Sequence, residues 1–145
     1  MAGNPFVYVG APGRAVLNDL VTALADPAHL LTAEASTPTS HIAAALLALR
    51  LTAPPTVMLD ATAAPHAATL GSALRAARTP ARHYLLLDPM SLPQTRVGDY
   101  DWPDAPITVL LTGESPVAAA AQLRGWSVVT CETEHLADVV AELLS

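Results

Sequence analysis

Short apolar runs alternate with amphipathic segments along the whole chain. Runs of four or five mostly apolar residues, which are typical of buried strands, lie at 6–9, 29–33, 56–59, 83–87, 107–111 and 126–130. Apolar residues at helical spacing fill the segments 14–25, 42–51, 64–78, 117–123 and 136–144. This alternation predicts one α/β domain over residues 1–145, with six parallel strands and helices on both faces of the sheet.

One segment interrupts the alternation. The stretch Pro89 to Pro106 is rich in proline and shows no sustained period, so we predict a loop across the carboxyl ends of the strands. It carries Tyr100 and Trp102. Their rings either cover the ends of the sheet or line a groove that binds an apolar chain.

Composition narrows the class of protein. The chain has 145 residues, of which 52% are apolar, which is enough for one hydrophobic core. Its net charge is −6 and its seven basic residues, all arginine, are scattered, which argues against nucleic acid or an anionic membrane as a partner. No apolar run approaches the ~20 residues of a membrane span, and the first residues do not resemble a signal peptide. We therefore expect a soluble, cytoplasmic protein.

Cysteine and histidine usage points away from metals. The single cysteine, Cys131, excludes a disulfide within the chain, and the dispersed histidines give no zinc-ligand spacing. We predict neither a metal site nor a cofactor.

Three strand ends carry candidate catalytic side chains. The strand, turn and helix between Thr56 and Arg78 are laid out like a nucleophile elbow, and Thr62 lies where that layout places the serine. Asp88 follows the fourth strand and His135 follows the sixth, so the order nucleophile, acid, base is kept. The motif G-x-S-x-G is absent. An aspartate and a histidine at one sheet edge could still perform acid-base chemistry.

Each candidate also has a purely structural explanation. Thr62 could cap the helix that follows it, and Asp88 before Pro89 is a common turn former. His135 heads the last helix, where a positive charge is disfavoured by the helix dipole, so a structural role is less natural there.

In order along the chain, several segments resemble the α/β-hydrolase core of the terminal thioesterase domains of modular polyketide synthases. The resemblance covers nearly the whole chain, through segments 6–13, 39–51, 57–64, 85–89, 111–116 and 134–135 with the final helix. It implies the strand order 2-1-3-4-5-6, a triad of Thr62, Asp88 and His135, and an oxyanion hole formed by the backbone of Ala11 and Ala63. It also implies an acyl or polyketide substrate, free or bound to a carrier protein.

The chain departs from that family at the elbow and the lid. Threonine replaces serine at Thr62, and Asp60 and Ala64 replace the two elbow glycines. A β-branched residue at a strained elbow costs about 1–3 kcal/mol, and a carboxylate at Asp60 would repel a developing oxyanion. We therefore expect cyclisation or other acid-base chemistry rather than efficient serine-type hydrolysis.

Two other functions remain open. Gly10 and Gly13 after the first strand, with Glu34 after the second, resemble an incomplete mononucleotide-binding unit, in which Pro12 removes one amide. Alternatively, the chain is a non-catalytic hydrolase remnant that binds a carrier protein or a synthase. A homodimer could cover the apolar surface that a missing lid leaves exposed.

Overall fold

A six-stranded parallel sheet forms the centre of the molecule. The computed structural model describes residues 5–11, 28–34, 36–93, 95–97 and 100–144. Its strands are β1 (Phe6–Gly10), β2 (Ala28–Thr32), β3 (Thr56–Leu59), β4 (His83–Leu87), β5 (Arg96–Val97), β6 (Tyr100–Asp101), β7 (Ile107–Leu111) and β8 (Ser127–Thr130). The order in the large sheet is β2-β1-β3-β4-β7-β8, and all five neighbouring pairs are parallel. The predicted order of six strands is confirmed.

Helices connect and cover the strands. The α-helices of the described residues are α1 (Thr39–Ala48), α2 (Ala67–Ala76), α3 (Val117–Leu123) and α4 (Leu136–Leu144). One-turn 3-10 helices at Ala64–His66 and Thr133–His135 lead into α2 and α4. The helix predicted over 42–51 begins and ends three residues earlier, because Thr39 and Ser40 form its first turn instead of preceding it. The helix predicted over 14–25 lies outside the described residues.

Alternate strand residues supply two separate cores, since successive side chains of a strand point to opposite faces. One face, with Val57, Leu59 and Leu86, packs against α1, α2 and α3. The other face, with Met58 and Leu85, packs against α4. Burial on both faces explains why the central strands are continuously apolar.

The connection between β4 and β7 differs from the predicted loop. It contains a small antiparallel ribbon, in which β5 pairs with β6. Trp102, just after the ribbon, belongs to the same core as α2, where its ring lies 5.0 Å from that of Tyr84 and 5.7 Å from that of Trp126. Tyr84 is near the start of β4 and Trp126 precedes β8. Trp102 therefore packs towards the amino ends of the strands, so this part of the segment does not lie across their carboxyl ends.

None of the helices in the described ranges is both long and apolar enough to cross a bilayer.

Candidate functional site

The predicted catalytic residues share one edge of the sheet. Thr62 lies in the turn after β3, Asp88 directly after β4, and His135 in the short 3-10 helix after β8. The carboxyl ends of parallel strands meet at the same edge, where ligands of open α/β sheets bind. The topology therefore agrees with the predicted placement, and the contacts of each side chain show what the residue does there.

Asp60, the residue directly after β3, accepts more hydrogen bonds than any other side chain that the structure describes at this edge. It is fully buried. The N–H of Ala11 donates to its Oδ2 at 2.8 Å, and the N–H groups of Thr62 and Ala63 donate to its Oδ1 at 2.9 and 3.1 Å. Three backbone amides, of which that of Ala63 is buried and those of Ala11 and Thr62 are part-buried, thus converge on one carboxylate, as they would on a bound anion.

This arrangement occupies the groups that the resemblance assigned to an oxyanion hole. Ala11 and Ala63 were predicted to donate to the substrate, yet both amides donate to Asp60. The fit is close at Gly10, where an added Cβ would lie 2.5 Å from Oδ2 of Asp60. Oxyanion stabilisation needs donors that are free to face the developing charge. In this structure those donors already carry a negative partner.

Thr62 is not held as a nucleophile is at a strained elbow. The described residues other than glycine with positive φ are Arg50, Arg78 and Asp88, so Thr62 adopts an ordinary backbone conformation. It also does not cap the following helix, because the 3-10 turn at 64–66 has no side-chain cap. Its half-buried hydroxyl makes no hydrogen bond within the described ranges, and neither the predicted strain nor the predicted cap is found.

Asp88 is bonded to the next strand rather than to histidine. Its Oδ1 accepts the N–H of Thr112 at 2.8 Å, and its Oδ2 accepts the Thr112 hydroxyl at 2.5 Å. The residue has φ 45°, in the left-handed region that aspartate tolerates better than most residues. Both oxygens of the predicted acid therefore tie the end of β4 to the end of β7.

His135 lies on the surface. Its Nε2 is 3.8 Å from Oε2 of Glu132, and both side chains are largely exposed. Among the described residues, no hydrogen bond or ion pair joins it to Asp88 or Thr62. Glu132, Glu134 and His135 bring three potential ligand atoms within 4.8 Å of one another, all exposed. No hydrogen bond or ion pair among the described residues thus links the three predicted triad side chains, and the absence of a resident metal stays a prediction.

The predicted substrate groove is corrected at Trp102. Its side chain is only 2% exposed and lies within the core, so it cannot line an open groove. The side chain of Tyr100 lies outside what the structure describes, and only its backbone in β6 is placed.

A different cavity opens at the carboxyl ends of β7 and β8. It has a volume of about 550 Å³ and is lined by Leu111, Gly113, Glu114, Ser115, Pro116, Ala118 and Thr130. That size is within the range of small-molecule pockets.

Cys131 follows β8, and the pKa of its thiol is raised by burial and by the charge of Asp88.

Two threonine-histidine pairs lie at opposite edges of the sheet. At the carboxyl edge, Thr39 Oγ1 is 2.5 Å from Nδ1 of His66, which joins the start of α1 to the start of α2. At the amino edge, Thr108 Oγ1 is 2.8 Å from Nε2 of His83. Burial lowers the pKa of both imidazoles, with a smaller contribution from Arg82 at His83.

The solved structures show which fold this is. A protein from Xanthomonas campestris pv. campestris assigned to the alpha/beta hydrolase superfamily matches with a TM-score of 0.65 and 15% identity, over 97% of this chain and 98% of that chain. RedJ, solved with a polyethylene glycol molecule in its active site, matches with a TM-score of 0.61 and 15% identity, over 99% of this chain and 89% of that chain. No protein-family model and no curated protein matches the sequence. The fold is α/β-hydrolase-like.

The sequence indicated at which sheet edge the candidate residues lie, but it did not indicate their hydrogen-bond partners. Thr112, which holds Asp88, and His66, which contacts Thr39, were not predicted as partners. Thr39 begins α1 after β2, and His66 precedes α2 after β3, so both lie at the carboxyl edge of the sheet, which was the available signal for their contact. Asp60 and Ala11 are 49 residues apart in the sequence, so no local pattern indicated their contact.

Proposed function

We propose that this protein is a thioesterase-like component of polyketide-type biosynthesis that binds a large acyl intermediate without forming an acyl ester on Thr62. The observation that carries the proposal is the contact of Asp60 with the amides of Ala11 and Ala63. Loss of a single oxyanion donor costs an acyl-transfer enzyme about 100-fold to 1000-fold in rate. Here two donors are occupied, and the occupying group repels the charge they would stabilise.

Binding of an extended chain is supported by the fold and the cavity. RedJ holds a polyethylene glycol molecule in its active site, so this fold can accept a long flexible chain there. In the present chain the 550 Å³ cavity offers apolar contacts from Leu111, Pro116 and Ala118, with hydroxyls at Ser115 and Thr130. The buried Asp60 also disfavours the nucleotide alternative, because its carboxylate takes the Ala11 amide that a phosphate would need.

The test uses a long-chain acyl thioester of N-acetylcysteamine. We expect saturable binding by calorimetry, with thiol release no faster than in buffer. Thr62→Ser should raise thiol release by less than about tenfold, because Asp60 still occupies the amides. An acyl group trapped on Thr62 and identified by mass spectrometry would contradict the proposal.

A second candidate, acid-base cyclisation of a polyketide chain, is favoured by the Glu132–His135 pair at the same sheet edge. A carboxylate beside an imidazole can orient the ring for proton transfer. If this function is correct, a poly-β-keto thioester is cyclised by the wild type and not by His135→Ala, while Glu132→Gln lowers the rate less. Asp88→Asn, which changes a residue that forms no hydrogen bond or ion pair with His135, is the matched control. Equal product from all four proteins leaves the binding function.

A further inference from the structure

The two threonine-histidine pairs differ in what their hydroxyls can reach. Thr108 is 4% exposed and lies within β7, between two neighbouring strands. Thr39 and His66 are both half-buried, at the carboxyl edge where ligands of such sheets bind. Of the two pairs, only Thr39–His66 therefore combines a hydroxyl-imidazole contact with access for a ligand.

The backbone beside Thr39 adds a second feature. Thr39 and Ser40 are the first two residues of α1, and the first amides of a helix have no partner within it. Within the described ranges, the N–H groups of Thr39 and Ser40 make no hydrogen bond, whereas the next amides, of His41 and Ile42, donate to Pro38. Two free amides thus accompany the hydroxyl that contacts His66, in contrast to the occupied amides around Asp60.

We propose that Thr39 is an acyl-acceptor site for activated aryl esters, with His66 as its base. Thr39 Oγ1 attacks the carbonyl carbon and forms the new C–O bond, while its proton moves to Nδ1 of His66. The bond from the carbonyl carbon to the aryl alcohol oxygen then breaks, and His66 returns the proton to the leaving oxygen. The free amides of Thr39 and Ser40 are the donors available to the oxyanion.

The chemistry of the pair agrees with this role. A hydroxyl is activated when a neutral base lies within hydrogen-bond reach. Burial lowers the pKa of His66 from its usual 6.5, which keeps the ring uncharged at neutral pH. The site uses neither the Thr62 hydroxyl nor the amides that Asp60 holds, so it goes beyond the function proposed above.

The experiment is labelling with p-nitrophenyl acetate, followed by intact mass and peptide mapping. The chain contains no lysine, so the usual background of acetylated lysines is absent. We expect one acetyl group on Thr39 of the wild type. Thr39→Ser should be labelled at the same position at least as fast, because serine keeps the hydroxyl without the β-methyl group.

Three variants test the assignment. Thr39→Val should lose the label, and His66→Gln should slow labelling by about 100-fold, the lower range of a general-base effect. Thr108→Val, which breaks the matched pair at the amino edge, should be labelled on Thr39 as in the wild type. Circular dichroism verifies that each variant is folded.

Each outcome decides something definite. Label that maps to Cys131 or the amino terminus in place of Thr39, or no label at all, overturns the acyl-acceptor site while leaving the binding function intact. Label on Thr62 would contradict the binding function instead. Labelling of Thr39 that persists unchanged in His66→Gln would refute the role of the histidine as base.

Discussion

Asp60 and Asp88 follow neighbouring strands and bind neighbouring strand ends in opposite directions. Asp60, after β3, accepts the amide of Ala11 beyond β1, and Asp88, after β4, accepts both polar groups of Thr112 beyond β7. Asp60 is fully buried and accepts hydrogen bonds from three backbone amides. Asp88 is half-buried and pairs with one amide and one hydroxyl, in a left-handed backbone conformation.

The difference shows how context decides what a strand-end carboxylate does. Asp60 holds its three amides from a fully buried position, so its carboxylate stands in the place of a transient oxyanion. Asp88 keeps partial access to solvent and a partner whose hydroxyl can rotate. The Asp60 carboxylate therefore fills the position that an oxyanion would take, whereas the hydrogen bond between Asp88 and Thr112 can still rearrange.

The largest effect is expected from Asp60→Ala. This change leaves the part-buried amides of Ala11 and Thr62 without their acceptor and takes one of two acceptors from the buried amide of Ala63, so the free energy of unfolding should fall by about 3–5 kcal/mol. Urea unfolding measures it. Asp60→Asn, which keeps one acceptor oxygen, should lose less, and a loss below ~1 kcal/mol for Asp60→Ala would show that water or backbone movement satisfies these amides.

A somewhat smaller loss is expected from Gly10→Ala. The added methyl group would lie 2.5 Å from Oδ2 of Asp60 and 2.6 Å from Cε1 of Tyr8, so the carboxylate or the ring must move. We expect a loss of about 2 kcal/mol, typical of overpacking. In the Asp60→Ala background the loss should shrink, because one of the two clashing groups is gone. Additive losses in this double-mutant cycle would mean that the clash with Tyr8 alone matters.

Asp88→Ala should be milder than either change. It removes two hydrogen bonds to Thr112 but exposes no deeply buried group, so we expect a loss of about 1–2 kcal/mol. Asp88→Gly should lose less than Asp88→Ala, because glycine relieves the positive φ. Thr112→Val isolates the contribution of the hydroxyl. A loss as large as that of Asp60→Ala would remove the contrast between the two carboxylates.

The strands were predictable because short apolar runs and their helical connections are local patterns, and their order followed from the resemblance to the α/β-hydrolase core. The segment 89–106 was not, since the burial of Trp102 depends on Tyr84 and Trp126, which are distant in sequence.

At the candidate site, the sequence indicated that Asp60 would oppose an oxyanion but not that it binds the predicted donors themselves. The partner of His135 was within reach of prediction, because Glu132 precedes it by three residues. The position of His135 relative to Asp88 depends on the direction that the chain takes after β8, which no local sequence pattern indicates.

The smallest expected effect is on the reactivity of the Cys131 thiol, which should respond to the charge of Asp88 and not to that of Asp60. Burial and the charge of Asp88 raise the pKa of its thiol, so Asp88→Asn should lower that pKa and increase the thiolate fraction below it. Alkylation by iodoacetamide at pH 8 should become about twofold faster, a modest gain because a less basic thiolate is also less nucleophilic. Asp60→Asn should leave the rate unchanged, since burial and Asp88 are the causes identified for the shift. Equal acceleration by both variants would mean that loosening of the sheet edge, not charge, controls the thiol.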